Sequence, residues 1–118
     1  MTIMTSEELV KKIRSSVLDE NQAIYKDIFQ STNINDASDP YWQGVLGLFE
    51  KLDDGEREIL FSIVRQTTVD TISNMLGVLD GVTTLEGFDG DFVLSLESEE
   101  EQLNGDLQDI FLEIEENS

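Results

Sequence analysis

The sequence contains no cysteine and no histidine, and these two absences exclude several kinds of protein chemistry. Without cysteine there is no disulfide framework, no thiol nucleophile and no zinc site built on thiolates. Without histidine the chain lacks the usual general base at neutral pH, the commonest transition-metal ligand and every Ser-His or Cys-His catalytic pair. We therefore expect a protein that is not an enzyme, with no catalytic residue, no metal site and no cofactor.

Long apolar runs are also missing from the sequence. No stretch approaches the ~18 consecutive apolar residues that a membrane-spanning helix requires. The opening residues, MTIMTSEELVKK, do not resemble a signal peptide, because they lack its apolar segment. We expect a cytoplasmic protein that does not associate with membranes.

Basic residues are few, and all of them lie in the first part of the chain. The 118 residues include 7 Lys and Arg against 26 Asp and Glu, for a formal net charge of -19. Residues 66–118 contain fourteen acidic residues and no basic one. Solvent-exposed helices ordinarily alternate the two signs, because opposite charges four residues apart support a helix and like charges weaken it. The second half of the chain is thus predicted to be an uncompensated negative surface that repels nucleic acid and anionic membranes.

The apolar residues that are present recur mostly at helical spacing. A capping box at Thr5 and Glu8 predicts a helix from about Ser6 to Leu18, in which one face carries Leu9, Val10, Ile13 and Val17. The polar residues 19–22 interrupt this pattern. We expect the helix to continue beyond them or to be followed by a short second helix.

Three further helices are indicated by their end signals. Asp39 and Pro40 are typical of a helix start and precede an apolar stripe over residues 41–52. A second capping box predicts a long central helix that ends at Gly81. Asn104 is predicted to cap a last, acidic amphipathic helix.

The period of the sequence changes after residue 81. VTTLEGF and DFVLSLE resemble two short strands, and the Asp89–Gly90 pair between them is typical of a hairpin turn. These patterns predict a β-hairpin near residues 82–97, packed against the helices. The expected fold is mainly α: one domain over residues 1–118, a bundle of four to five helices with a small β-hairpin.

Clustered carboxylates raise the question of a calcium site. When Asp89, Asp91 and Glu100 are placed at positions 1, 3 and 12 of an EF-hand loop, Val93 and Leu94 fall where an oxygen ligand and a glycine are required. The template does not fit. Only weak, incidental screening by divalent cations is compatible with these residues.

The acidic half is therefore interpreted either as a solvated surface that only keeps the protein soluble or as a binding face for a basic protein. The predicted partner-binding residues are Asp70, Asp80, Glu86, Asp89, Asp91, Glu97, Glu99, Glu100, Asp106, Asp109, Glu113 and Glu116. Phe88, Phe92 and Trp42 are the aromatic residues that could add buried contacts.

A nuclease is a suitable basic partner, because its active site binds phosphates through Lys and Arg, and carboxylates can take the place of those phosphates. The leading hypothesis is a bacterial immunity or inhibitor protein that neutralises a nuclease toxin or mimics nucleic acid. The alternative is a small helical adaptor or regulatory subunit that docks through an apolar groove. The oligomeric state is open, since Gly44 and Gly47 could allow close helix packing within one chain or between two copies.

Overall fold

The computed structural model describes residues 3–118, and this part of the chain is mainly α-helical. Its α-helices are α1 (Ser6–Ile13), α2 (Glu20–Ser31), α3 (Pro40–Lys51), α4 (Asp54–Asp80) and α5 (Leu107–Glu116). A π-helical segment, Arg14–Asp19, joins α1 to α2, and a 3-10 turn, Ile34–Asp36, precedes α3. The helical prediction is confirmed.

The two N-terminal helices are continuous, because the polar stretch after Leu18 does not break the backbone. In the π-helical segment the N–H of Glu20 donates to the carbonyl of Ser15, five residues earlier. A wider turn of this kind shifts the side chains that follow it. Leu18 is consequently fully buried, whereas Val17, which the sequence pattern placed on the same face as Val10, is exposed.

The next two helices start with the residues predicted to cap them. The Asp39 carboxylate accepts a hydrogen bond from the Tyr41 N–H, and Pro40 begins α3. Asp53 and Glu56 form the reciprocal capping box at the start of α4. At its other end, Gly81 has a φ of 80°, the left-handed conformation that glycine adopts most readily.

The α4 helix packs antiparallel to α2 and to α5. The Gln22 side chain donates to the Phe61 carbonyl, which places α2 beside the first half of α4. The Gln108 side chain donates to the Ser73 carbonyl, and α5 runs back along the second half of α4. The α5 helix also packs against α1.

Two apolar clusters follow from this arrangement, one along each half of α4. The main core contains Val10, Leu18, Val69, Ile72, Leu76, Leu107 and Phe111. The other is an aromatic cluster of Tyr25, Phe29, Trp42, Phe49 and Phe61, whose neighbouring ring centroids are 5.3–6.4 Å apart. The molecule is elongated, with extents of 52 × 37 × 29 Å and a radius of gyration of 18.3 Å, against about 13–14 Å for a compact chain of this length.

The predicted β-hairpin over residues 82–97 was wrong. The described residues contain no strand there, and a single bridge pairs Leu85 with Phe88 around Gly87, whose φ is 79°. The type I′ hairpin turn that an Asp-Gly pair favours requires a positive φ at both residues. Neither Asp89 nor Gly90 has a positive φ. The backbone N–H of Leu94 instead bonds to a side chain, Asn104. Because this N–H group is not paired with a neighbouring strand, the two segments do not form a β-sheet.

Candidate partner-binding surface

The chain between α4 and α5 forms an irregular segment, residues 81–106, which we call the acidic loop. It carries seven of the twelve predicted binding residues, Glu86, Asp89, Asp91, Glu97, Glu99, Glu100 and Asp106. Two others, Asp70 and Asp80, lie in the second half of α4, and three, Asp109, Glu113 and Glu116, lie on α5. All twelve therefore belong to the C-terminal half of α4 and the two segments that follow it.

One buried side chain, Asn104, connects the acidic loop to the end of α4. Its Nδ2 donates to the carbonyl oxygens of Leu79 and of Phe92, the latter at 2.8 Å. Its Oδ1 accepts from the Leu94 N–H at 2.8 Å, and the Leu103 N–H donates to the Leu94 carbonyl at 2.7 Å. Asn104 thus does not cap α5 as predicted, because its amide groups satisfy backbone groups of the acidic loop and of α4.

Asp80 holds the start of α5. Its Oδ1 accepts from the Gly105 N–H at 2.6 Å and its Oδ2 accepts from the Gln108 N–H at 2.8 Å. A carboxylate at a helix N-terminus satisfies N–H groups that have no partner inside the helix and is favoured by the helix dipole. Both oxygens of Asp80 therefore have partners within the chain, unlike those of the exposed acids around it.

Two aromatic residues of the acidic loop lie beside a small cavity. The rings of Phe88 and Phe92 are stacked, with centroids 5.2 Å apart, and both side chains are partly exposed. The cavity has a volume of about 240 Å³ and is also lined by Asp89 and Asp91. Carboxylates attract a cation directly, and aromatic ring faces attract it through their quadrupole. The side chain of a lysine or an arginine matches this lining chemically.

Sequence reasoning did not include the other residues of this cavity, among them Val78, Thr83, Thr84 and Leu85. Val78 lies near the end of α4, and the other three follow it in the segment that was predicted to be a strand. Nothing in those two patterns indicated that these residues would line a cavity. Trp42 does not belong to this region. Its ring lies 6.4 Å from that of Tyr25 in the aromatic cluster.

The α5 helix is acidic on its outer face. Leu107 and Phe111 are fully buried on the inner face, and Asp109, Glu113 and Glu116 are exposed. None of these three carboxylates takes part in an ion pair within residues 3–118. The amphipathic pattern of the sequence therefore corresponds to the orientation of α5.

Glu115 differs from its neighbours because two arginines neutralise it. Its Oε2 lies 2.8 Å from a guanidinium nitrogen of Arg14, and its Oε1 lies 3.0 Å from one of Arg65. Burial alone would raise the pKa of the Glu115 carboxyl group. Hydrogen bonds and charge from both arginines outweigh burial and hold that pKa below its ordinary value. This pairing joins the π-helical segment, α4 and α5.

We expect Glu115→Gln to lower the free energy of unfolding at neutral pH by about 1–3 kcal/mol, because two charge-assisted hydrogen bonds are weakened. A carboxyl group with a lowered pKa in the folded state stabilises the protein above its unfolded-state pKa, and that stabilisation is lost as the pH falls through the folded-state pKa. The difference between the two proteins should therefore shrink in acid. Urea titrations at neutral and acidic pH measure it, with Glu116→Gln as a control that removes the same charge. Equal losses of stability in both variants would contradict a stabilising role for the contacts of Glu115 with Arg14 and Arg65.

Charge compensation in the rest of the acidic half is minimal. Of the fourteen acids after residue 65, Glu115 alone forms an ion pair within residues 3–118. The other thirteen include Asp80, which bonds to backbone N–H groups, and Asp70, which accepts from Gln66. The basic residues of the first half of the chain therefore neutralise almost none of the negative surface.

In the described part of the chain, no three acidic side chains converge where they could hold a metal ion. No helix among the same residues is both long and apolar enough to cross a lipid bilayer. Comparison of the chain with protein-family models, with curated proteins and with solved structures gives no match.

Proposed function

We propose that this protein is a non-enzymatic acidic binding protein that neutralises a basic partner, as an immunity or inhibitor protein does for a bacterial nuclease toxin. The observation that carries the proposal is that thirteen carboxylates in the second half of the chain have no cationic partner within residues 3–118. The partner's Lys and Arg side chains, which otherwise hold nucleic-acid phosphates, would supply the missing counter-charges.

Binding begins with long-range attraction between the two surfaces. A concentrated negative surface accelerates encounter with a positive one and orients the approach, so it affects the association rate more than the final affinity. The exposed carboxylates of α5 and of the acidic loop serve this step. Their self-repulsion destabilises the free protein and is relieved when the partner binds.

Short-range contact is assigned to the cavity beside Phe88 and Phe92. A partner's Lys or Arg side chain that enters it meets the carboxylates of Asp89 and Asp91 and the aromatic rings. Such a charge-and-ring contact is favoured most when water is excluded from it. Occupation of this cavity would slow dissociation of the complex.

A second feature of the acidic loop, an unsatisfied hydrogen-bond acceptor, also favours binding of a cationic side chain. Glu99 has one carboxylate oxygen, Oε1, that is buried and accepts no hydrogen bond from the described residues. A buried acceptor without a donor is energetically unfavourable. A cationic side chain of the partner would remove this penalty once binding shifts the acidic loop enough to expose this oxygen.

The experiment that tests the proposal is capture at varied salt. The immobilised protein is exposed to bacterial lysate and, separately, to a synthetic peptide rich in Lys and Arg, and association rates are measured by surface plasmon resonance. We expect captured proteins to be basic and the association rates to fall about tenfold or more between about 0.01 and 0.15 M ionic strength, as charge screening grows.

A neutral peptide of the same length serves as the control and should not bind. Capture that is equally strong in high salt would overturn the proposal and favour the adaptor alternative, because docking through an apolar groove responds little to ionic strength.

A further inference from the structure

Asn104 is the only asparagine of the sequence that is followed by glycine, and an Asn-Gly pair is prone to spontaneous deamidation. In that reaction the backbone nitrogen of the following residue attacks the asparagine Cγ, and glycine has no side chain to obstruct the approach. The other five asparagines precede larger residues, at positions 22, 34, 36, 75 and 118. The chemistry of the chain therefore singles out Asn104.

The reaction replaces the side-chain amide of Asn104 by a carboxylate and requires only water and a solvent base. The base removes the proton of the Gly105 N–H, the nitrogen forms a bond to Cγ of Asn104, and Nδ2 takes a proton from water and leaves as ammonia. Water then opens the resulting succinimide ring at either carbonyl group and gives aspartate or isoaspartate. The net change is loss of ammonia, gain of water and a new negative charge.

The folded structure restrains the side chain that would react. Asn104 is buried, at 7% exposed. Its Nδ2 donates to the carbonyls of Leu79 and Phe92, and its Oδ1 accepts from the Leu94 N–H. Attack at Cγ makes the planar amide tetrahedral and expels Nδ2, so these hydrogen bonds must break, which is costly for buried groups. Deamidation is therefore slow while the acidic loop stays in place.

Asp80 restrains the other reacting group, the Gly105 nitrogen. The Gly105 N–H donates to Asp80 Oδ1 at 2.6 Å. Removal of this proton would leave a negative nitrogen beside a carboxylate, and a neighbouring like charge disfavours the ionised form. Asp80 thus protects the Asn-Gly pair in addition to holding the start of α5.

We propose that Asn104 is a deamidation site protected by the folded acidic loop, so that local opening of this loop sets the lifetime of the intact protein. Local openings of irregular segments occur more often than global unfolding. After the reaction the loop cannot close as before, because a carboxylate oxygen replaces the amide that faced the Leu79 and Phe92 carbonyls. Isoaspartate also lengthens the backbone. The inference does not depend on the proposed function, since it concerns how the loop is held and not what the loop binds.

The test is incubation of the full chain in mildly alkaline buffer, with deamidation at residue 104 quantified by mass spectrometry of proteolytic peptides. We expect the folded protein to react at this residue about tenfold or more slowly than the chain unfolded in denaturant. Asp80→Ala should raise the folded-state rate about tenfold or more, because it frees the Gly105 N–H. Asp109→Ala, which removes an exposed acid of α5 without an ion pair within residues 3–118, should leave the rate unchanged.

Leu46→Ala separates local opening from global unfolding. Leu46 is buried in α3, and α3 supplies none of the hydrogen-bond partners of the Asn104 side chain or of the Asp80 carboxylate. Its truncation lowers the stability of the whole fold and should raise the rate at residue 104 much less than Asp80→Ala does. Circular dichroism checks that each variant is folded, and Asp80→Asn, which keeps one acceptor oxygen, is a milder variant with a smaller expected increase.

Equal acceleration by Leu46→Ala and by the Asp80 variants would overturn the inference, as would unchanged rates in the Asp80 variants. Equal rates in folded and unfolded wild-type protein, or no product at residue 104 in any folded form, would also overturn it. The deamidated protein, separated by anion exchange, should be cut by a glutamate-specific protease after Glu86 and Glu97 faster than the intact protein. Equal cleavage would contradict release of the loop.

Discussion

Replacing Asn104 by aspartate is expected to destabilise the protein by about 3–5 kcal/mol, although the two side chains have nearly the same shape. The Asn104 Nδ2 donates to the carbonyl oxygens of Leu79 and Phe92. A carboxylate would set a negative oxygen against both carbonyls in a buried position. Since whole domains are stable by about 5–15 kcal/mol, this one change removes a large part of the total.

Asn74→Asp is the matched control for that variant. Asn74 is an exposed residue of α4, and the substitution adds the same charge. We expect it to change the free energy of unfolding by less than about 0.5 kcal/mol. Urea denaturation followed by circular dichroism measures both variants. Similar losses in the two would mean that added charge, rather than the Asn104 hydrogen bonds, causes the effect.

The second large effect concerns binding. Converting Asp106, Asp109, Glu113 and Glu116 to their amides should reduce the association rate with the Lys- and Arg-rich peptide about tenfold or more at low salt, because the attraction before contact is weakened. The fold should be retained or slightly stabilised, since like charges repel one another less. Stopped-flow fluorescence with a labelled peptide measures the rate.

The control removes four negative charges elsewhere. Asp27, Glu50, Asp54 and Glu58 are exposed acids of the first half, and their amide variants should slow association much less. If both sets slow association equally, total charge matters and the position of the carboxylates does not. That result would favour the interpretation of the acidic half as a solvated surface.

The cavity beside Phe92 should affect a different rate. Asp89→Asn together with Asp91→Asn is expected to raise the dissociation rate of a basic protein partner about tenfold or more, with a smaller change in association. If dissociation is unchanged, the short-range contact lies outside the cavity.

Local features of the fold could be predicted from the sequence because the groups that produce them are close in the chain. Asp39 bonds to the N–H of Tyr41, and Asp53 exchanges bonds with Glu56. Gly81 ends α4 through its own backbone conformation. The negative character of the second half is likewise a property of composition.

The predicted hairpin does not form, because strand pairing depends on contacts that are distant in the sequence. Alternating apolar residues and an Asp-Gly pair are compatible with two strands, but strand pairing depends on what else can satisfy the backbone. Asn104 takes the N–H of Leu94 and the carbonyl of Phe92. No local pattern in the sequence assigns a side chain to groups ten and twelve residues away.

The sequence by itself determined the helices, most of their caps and the surplus of negative charge, since these depend on composition and on residues a few positions apart. Only the tertiary structure decided which acids lack counter-charges. Glu115 is neutralised by Arg14 and Arg65, which are 101 and 50 positions away, and Asp80 is occupied by the start of α5. Such pairings depend on how the helices pack, because an ion pair requires two groups to be close in space and not in sequence.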